Sequence, residues 1–166
     1  MYDELTKQDI LDMEREIDER RKLRSKIHDD VVMARGYGDL SENAEYREAK
    51  RQKNKNEGRI RYLQNMIKTA KVIDGGNNEN AVDYFDKVTL LFEDTGENEE
   101  IIVSTKMRVD ATKGVISRES PLGSAIFGKQ VGDRIFVDVS PEIQYYVKII
   151  DLEKGNQTID VPLNKF

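Results

Sequence analysis

The chain contains no cysteine and no tryptophan, a single histidine and only three prolines. Without cysteine it can form neither a disulfide framework nor a zinc–thiolate site, so a cytoplasmic protein is expected. No apolar run approaches the roughly 18 residues that a membrane span requires, and the start Met1-Tyr2-Asp3-Glu4 lacks the basic residues of a secretory signal. The sequence therefore predicts neither a membrane protein nor a secreted one.

The lone histidine, His28, also limits the catalytic arrangements available to this chain. A Cys–His pair is excluded, and no Ser/His/Asp arrangement can be assembled convincingly around His28. We interpret His28 as a solvated helix residue. The sequence thus offers no evident site for nucleophilic catalysis.

In contrast to cysteine, tryptophan, histidine and proline, charged residues are abundant in this chain. Charged residues make up 36% of the chain, above the roughly one quarter usual for globular proteins, and 27 basic against 32 acidic residues give a net charge of −5. A long helical hairpin has much surface and a thin core, so it would accommodate this composition. The negative balance argues against a protein that binds duplex DNA through its whole surface.

The two halves of the chain differ in composition. Up to Gly75 there are 17 basic and 16 acidic residues, whereas the remainder has 10 and 16 and contains all three prolines. Glycines and asparagines cluster around the change and interrupt any helix. We therefore predict a domain at residues 1–75, a linker at 76–80 and a second domain at 81–166.

The first domain has the pattern of two helices. Thr6 and Asp9 form a capping-box pattern at the start, and Gly36-Tyr37-Gly38 ends the first helix. Spacings of three and four residues predict a coiled-coil seam in each helix. The first seam comprises Ile10, Met13, Ile17, Arg20, Arg24, Ile27, Val31 and Ala34, and the second comprises Ile60, Leu63, Ile67 and Ala70.

Folding this hairpin at residues 39–40 brings many basic residues together at its middle, with Glu57 as the only acid among them. Two interpretations stay open. The side chains can be a solvated helix surface with their stems lying over a thin core, or they can form a basic belt for a polyanion. The proposed belt consists of Arg20, Arg24, Lys53 and Lys55.

After the linker the pattern becomes that of strands. Four segments rich in β-branched and aromatic residues are separated by turn residues, which predicts a small antiparallel sheet. These segments are Asp86–Glu93, Asn98–Ser104, Asp133–Val139 and Ile143–Asp151. Between them, Ser120 as a cap, Pro121 at the first helical position and Gly128 at the end predict one short helix. The fold class is therefore α+β.

Two acids, Asp39 and Glu42, lie three residues apart in the turn of the hairpin. Asp39 can cap the second helix with Glu42 completing a capping box, or the two carboxylates can project together as metal ligands. The spacing favours capping and leaves metal binding open. We interpret Ser41 and Asn43 as cap and packing residues, and Tyr46 as an aromatic that anchors the two helices.

Residues 38–46, which read Gly-Asp-Leu-Ser-Glu-Asn-Ala-Glu-Tyr, resemble the signature of the bacterial GreA/GreB transcript-cleavage factors. Leu40 and Glu45-Tyr46 are closer to the GreA form than to the GreB form. The resemblance covers both halves of the chain. It continues at Leu5-Thr6, Ala34-Arg35, Gly58–Ile60, Ala70–Asp74, Gly114–Ser117, Ser120–Gly123 and Gly128–Asp133.

The resemblance implies an N-terminal antiparallel coiled coil and a C-terminal domain of FKBP-like fold. It implies that the C-terminal domain, through Ser120, Pro121 and Leu122, docks at the rim of the secondary channel of bacterial RNA polymerase. The coiled coil would enter that channel as a monomeric factor, and its basic belt would face the RNA. A prolyl isomerase is suggested only by the fold, since no apolar proline pocket is evident.

In such a family member Asp39 and Glu42 match the functional acids. They would share a Mg²⁺ ion with the polymerase active site and assist its cleavage of the nascent RNA 3′ end in backtracked complexes. The protein alone would be no nuclease and would hold no cofactor tightly. The alternative is a Gre-like regulator or inhibitor that occupies the channel without stimulating cleavage.

Overall fold

The computed structural model describes residues 2–38, 43–73, 79–155 and 161–165. The chain forms two compact units. The first is built mainly from residues 10–71, and the second contains residues 4–9 together with 72–165. Within the described ranges, no helix is long and apolar enough to cross a membrane.

Two long helices form the predicted hairpin. Helix α1 spans Lys7–Arg35 and helix α2 spans Ala44–Thr69. Contacts between the helices, such as the ion pair of Arg24 with Glu57, agree with the predicted antiparallel register to within about one helical turn. The seam of α1 is confirmed at buried Met13, Ile17, Val31 and Ala34, and that of α2 at buried Ile60 and Leu63. Met66, which was not predicted as a seam member, is buried as well, whereas Ile67 is half-buried.

The helix ends follow local side-chain chemistry. At the start of α1 the backbone N–H of Asp9 donates to Thr6 Oγ1 over 3.0 Å, and the Thr6 N–H donates to Asp9 Oδ2 over 3.1 Å. This reciprocal pair confirms the predicted capping box. Gly38 follows the end of α1 with a φ of +118°, a conformation that favours glycine. The cap of α2 is Asn43, so the predicted capping role of Asp39 for this helix is wrong.

Two short strands adjoin the helices and were not predicted. Strand β1 spans Asp3–Thr6, strand β2 spans Ala70–Ile73, and they pair in a two-stranded sheet. Ala70 was expected to continue the seam of α2, but it has extended dihedral angles and is the C-cap of that helix. Neither four-residue segment alternates strictly between apolar and polar residues, so the sequence pattern did not identify them as strands.

A five-stranded sheet forms the second unit. Its strands are β3 (Lys87–Phe92), β4 (Glu97–Ser104), β5 (Val115–Ser117), β6 (Arg134–Ser140) and β7 (Ile143–Glu153). They are arranged in the order β5-β4-β3-β7-β6. The four predicted strands are confirmed to within two residues. The fifth, β5, pairs parallel to β4, so the expectation of a purely antiparallel sheet is wrong.

The predicted short helix is α3, which spans Pro121–Ile126. Its last residue, Ile126, is fully buried in the core that the sheet provides. Gly123 lies so close to the chain before α3 that a Cβ atom there would be 2.1 Å from the carbonyl oxygen of Ser117. Only glycine fits this approach, which fixes α3 against the segment that leads into it.

Candidate functional site

The acidic pair of the hairpin turn, Asp39 and Glu42, lies outside the described residues. The helix ends on both sides are described. Asn43 Nδ2 donates to the carbonyl oxygen of Ala34 over 2.6 Å, and Asn43 Oδ1 accepts from the Tyr46 N–H over 2.9 Å. One side chain therefore caps α2 and also joins it to the end of α1.

A second contact joins the same helix ends. The guanidinium of Arg35 lies 5.8 Å from the centroid of the Tyr46 ring, within the range of a cation–π interaction. Asn43 and Tyr46 thus have the capping and anchoring roles that the sequence predicted for them. The two ends that flank the acidic pair are held together by these residues, whichever function the pair has.

The metal-binding expectation rests on the acidic pair itself. Among residues 2–38, 43–73, 79–155 and 161–165, no group of three or more His, Asp and Glu side chains is placed to hold a metal ion. Carboxylate oxygens are nevertheless the donors that Mg²⁺ prefers, and one or two of them commonly suffice when the other ligands are waters and phosphates. The chemistry of the Asp39 and Glu42 side chains fits that ion.

The structure divides the predicted basic belt into two kinds of residue. Arg24 forms a two-bond ion pair with Glu57, at 2.7 and 2.9 Å, and Arg20 Nε donates to Glu16 over 2.8 Å. Lys53 and Lys55 are exposed and form no ion pair within the described chain. The lysines are therefore the cations of the belt that remain available to an external anion.

A buried polar cluster crosses the middle of the hairpin, where the sequence predicted a concentration of basic residues. Arg59, of whose side chain only 3% is exposed, donates to both carboxylate oxygens of Glu16 over 2.9 and 3.2 Å. Buried Asn56 donates to the Arg20 carbonyl oxygen over 3.0 Å and accepts from Arg20 Nη1 over 3.3 Å. Sequence analysis missed Glu16 and Asn56, and the signal that could have found them was the presence of arginines, Arg20 and Arg24, at seam positions.

Opposing effects act on the carboxyl group of Glu16. Partial burial on its own would raise the pKa of Glu16, but hydrogen bonds from Arg59 and Arg20 outweigh it and lower the pKa below the ordinary value. Glu16 is therefore ionised at neutral pH. Its charge compensates that of buried Arg59. The middle of the hairpin therefore contains two acids, Glu16 and Glu57, whereas the sequence indicated only Glu57 there.

The three predicted docking residues lie at the start of α3. Ser120 Oγ accepts from the Gly123 N–H over 3.0 Å and donates to the Ser117 carbonyl oxygen over 2.7 Å. Leu122 is half-buried against the core, and Pro121 is exposed. Ser120 and Leu122 thus hold the segment in place, which leaves Pro121 as the member of the three that is most open to a partner.

Next to this segment Arg118 is held by an aromatic ring and an acid. Its guanidinium lies 4.3 Å from the centroid of the Phe127 ring, and its Nε lies 4.0 Å from Glu4 Oε2. The Tyr84 hydroxyl donates to the same carboxylate. Burial, followed by the bond to Glu4 and its charge, raises the pKa of Tyr84, so its proton stays on the phenol.

The chain matches known proteins along most of its length. Residues 4–72 match the family "Transcription elongation factor, N-terminal", and residues 77–154 match "Transcription elongation factor, GreA/GreB, C-term". The transcription elongation factor GreA of Bacillus licheniformis is 38% identical over 130 residues, which cover 78% of this chain and 82% of that protein. GreA of Magnetococcus marinus is 42% identical over 121 residues, which cover 71% and 77%.

Two solved structures align with this chain at low sequence identity. GreA factor homolog 1 of Thermus thermophilus aligns over 93% of this chain and all of that one, with 22% identity and a TM-score of 0.43. GreA/GreB from Nitrosomonas europaea aligns over 58% of this chain and 80% of that one, with 24% identity and a TM-score of 0.41. The two family matches, which together span both units, show that the chain belongs to the GreA/GreB family of transcription elongation factors.

Proposed function

We propose that this protein binds bacterial RNA polymerase, inserts its helical hairpin into the secondary channel, and stimulates the intrinsic cleavage of the nascent RNA 3′ end in backtracked complexes. The observation that carries the proposal is an acidic pair, Asp39 and Glu42, in the turn of a hairpin that belongs to the GreA/GreB family. The bonds of Asn43 support it, because they hold together the two helix ends that flank those acids.

The chemistry assigned to the acidic pair is that of metal ligands. Asp39 and Glu42 would supply carboxylate oxygens to a Mg²⁺ ion whose remaining ligands belong to the polymerase and the RNA. Bound there, the ion supplies activation of water and stabilisation of the leaving oxygen. Two carboxylates without these further ligands hold Mg²⁺ weakly, so we expect no nuclease activity from the protein alone.

The remaining surfaces have supporting roles in the proposal. The start of α3, with exposed Pro121 between Ser120 and Leu122, would contact the rim of the secondary channel. Exposed Lys53 and Lys55 would face the RNA, while Arg20 and Arg24 mainly stabilise the hairpin through Glu16 and Glu57. The factor would act as a cytoplasmic monomer.

The proposal is tested with a stalled, backtracked elongation complex supplied with wild type, Asp39→Asn or Glu42→Gln. Each variant keeps the shape of the side chain but loses a carboxylate ligand, so release of the RNA 3′ fragment should slow at least about tenfold. Asp29→Asn, an exposed acid in α1, is the matched control and should cleave at the wild-type rate. Cleavage at the wild-type rate by both tip variants would show the metal role to be wrong.

The same experiment separates the proposed function from simple occupation of the channel. Binding of each protein to the polymerase is measured in parallel, by competition with a labelled wild-type factor. A wild type that binds but releases no RNA fragment would indicate a channel-binding regulator instead. A wild type that does not bind would exclude both functions.

A further inference from the structure

An open groove lies between α1 and α2, in the half of the hairpin next to the turn. Its volume is about 490 Å³. The apolar part of its lining is contributed by Ile27, Met33, Ala34, Tyr37, Ala44 and Ala49. All of these residues belong to the first unit, and none of them is in the predicted metal site.

The groove exists because the two helices pack incompletely there. On α1, Val31 and Ala34 are buried, yet the buried residues of α2 begin only at Asn56. The three alanines of the lining are too small to fill the space that remains. Met33 and Tyr37 are each 62% exposed as a result. Large apolar side chains left open beside a groove are typical of an interaction surface.

The charged residues of the described groove lining are all acidic. Asp30, Glu45 and Glu48 line the groove, and none of the described lining residues is a lysine or an arginine. Glu48 is paired with Arg51, whose hydrogen bond, together with a weaker one from Gln52, lowers the pKa of Glu48 to about 2. Asp30 and Glu45 form no ion pair in the part of the chain that the structure describes.

We propose that this groove is a docking site for a segment of RNA polymerase in which a large apolar side chain is flanked by lysine or arginine. The inference rests on the proposed function, which puts the hairpin inside that enzyme. An apolar side chain would fill the space above the alanines, where Met33 and Tyr37 would cover it. The flanking cations would pair with Asp30 and Glu45, which gives the contact its specificity.

A position-specific photo-crosslinker tests the contact directly. The photoreactive amino acid p-benzoylphenylalanine is placed at Met33, which lines the groove, or at its neighbour Val32, which is 51% exposed but does not line it. With the complete polymerase, the probe at position 33 should crosslink to a segment that contains apolar and basic residues, at least about tenfold more efficiently than the probe at 32. Equal yields, or a crosslink between two copies of this chain, would overturn the proposal.

Substitutions on neighbouring positions provide the functional half of the test. Met33→Gln and Asp30→Lys alter the groove, whereas Val32→Gln and Asp29→Lys place the same residues on exposed positions outside it. The groove variants should raise the concentration of factor needed for half-maximal binding to polymerase by about tenfold, and the control variants by less than about twofold. Circular dichroism establishes that all four variants are folded.

The two readouts distinguish failure of the groove from failure of the proposed function. If wild type stimulates RNA cleavage and the groove variants behave like their controls, the groove proposal is wrong and the function stands. If position 33 crosslinks selectively to polymerase but wild type stimulates no cleavage, the groove proposal stands and the function is wrong. If the probe at position 33 does not crosslink to polymerase and wild type stimulates no cleavage, both are wrong.

Discussion

Glu16 shows how a single residue can change the character of a helical seam. It lies in α1 and accepts hydrogen bonds from Arg20 of the same helix and from Arg59 of α2. Burying the Arg59 guanidinium without a partner would be strongly unfavourable, and the Glu16 carboxylate removes that penalty. The charge of one acid therefore permits two arginines at positions where apolar residues would otherwise pack.

The lowered pKa of Glu16 predicts an acid-dependent loss of hairpin stability. Because the folded pKa lies below that of the unfolded chain, the stabilisation is complete above the ordinary value of 4.5 and is lost as the pH falls through the folded pKa. Glu16→Gln should lower the free energy of unfolding by about 1–3 kcal/mol at neutral pH. Between about pH 6 and pH 3 its stability should also fall less than that of wild type.

Urea unfolding followed by circular dichroism at several pH values measures both effects. Glu19→Gln, which alters an exposed acid one helical turn away, is the control and should match wild type to within about 0.5 kcal/mol. Parallel pH profiles for wild type and Glu16→Gln would contradict the assigned role of this carboxylate.

At the scale of elements, the two halves of α2 have different roles. Its C-terminal half contributes the buried residues from Asn56 to Met66, which pack the hairpin. Its N-terminal half has no buried residue in the described chain and instead presents exposed charges and the apolar groove. A helix whose second half supplies most of the packing can leave the first half free for contacts with other molecules.

We expect the exposed lysines of α2 to contribute to RNA binding and not to the stability of the fold. Lys53→Glu and Lys55→Glu should each reduce cleavage of long backtracked RNA by about threefold, with a smaller effect on short backtracked RNA. Thermal unfolding should remain at the wild-type value, because neither lysine forms an ion pair within the described residues.

Lys68→Glu is the control for these variants, since it reverses an exposed charge in the last turn of the same helix. Its cleavage rates on both RNAs should equal those of wild type. If the reversals at positions 53 and 55 reduce cleavage equally on both RNAs, or not at all, these lysines belong to a solvated surface.

At the scale of the whole molecule, the second unit includes a piece of chain from the very start of the sequence. Asp9, which is fully buried, accepts from Thr105 Oγ1 over 2.8 Å and from Arg108 Nε. Arg108 also donates to the Val161 carbonyl oxygen over 2.8 Å. Three segments that are far apart in the chain therefore meet at one buried ion pair in this unit.

Removing the charge of Asp9 should be among the most damaging single changes. Asp9→Asn removes the buried carboxylate that pairs with Arg108, so the free energy of unfolding should fall by about 3–5 kcal/mol. Asp18→Asn removes an exposed acid paired with Arg21 at 3.8 Å and should cost less than about 1 kcal/mol. Urea unfolding of the full chain measures both, and similar losses for the two variants would contradict the importance of the buried pair.

Local patterns in the sequence were sufficient for most of the elements. The capping box of Thr6 and Asp9, the seams of the hairpin, four strands and α3 all depend on residues that are close in the chain, and their periodicity records which face is buried. Family membership was likewise evident from a short signature around the turn. The role of Asp39 and Glu42 in that signature remains a prediction.

The tertiary structure alone decided how charges pair across long distances in the chain. The bonds of Glu16 to Arg59 and of Asp9 to Arg108, the parallel strand β5 and the open groove between the helices each join residues that sequence spacing does not relate. A buried charge is stable only beside a partner, and that partner is selected by packing in space. The sequence therefore determined which segments become helices and strands, and the fold determined which of their charges remain free to bind.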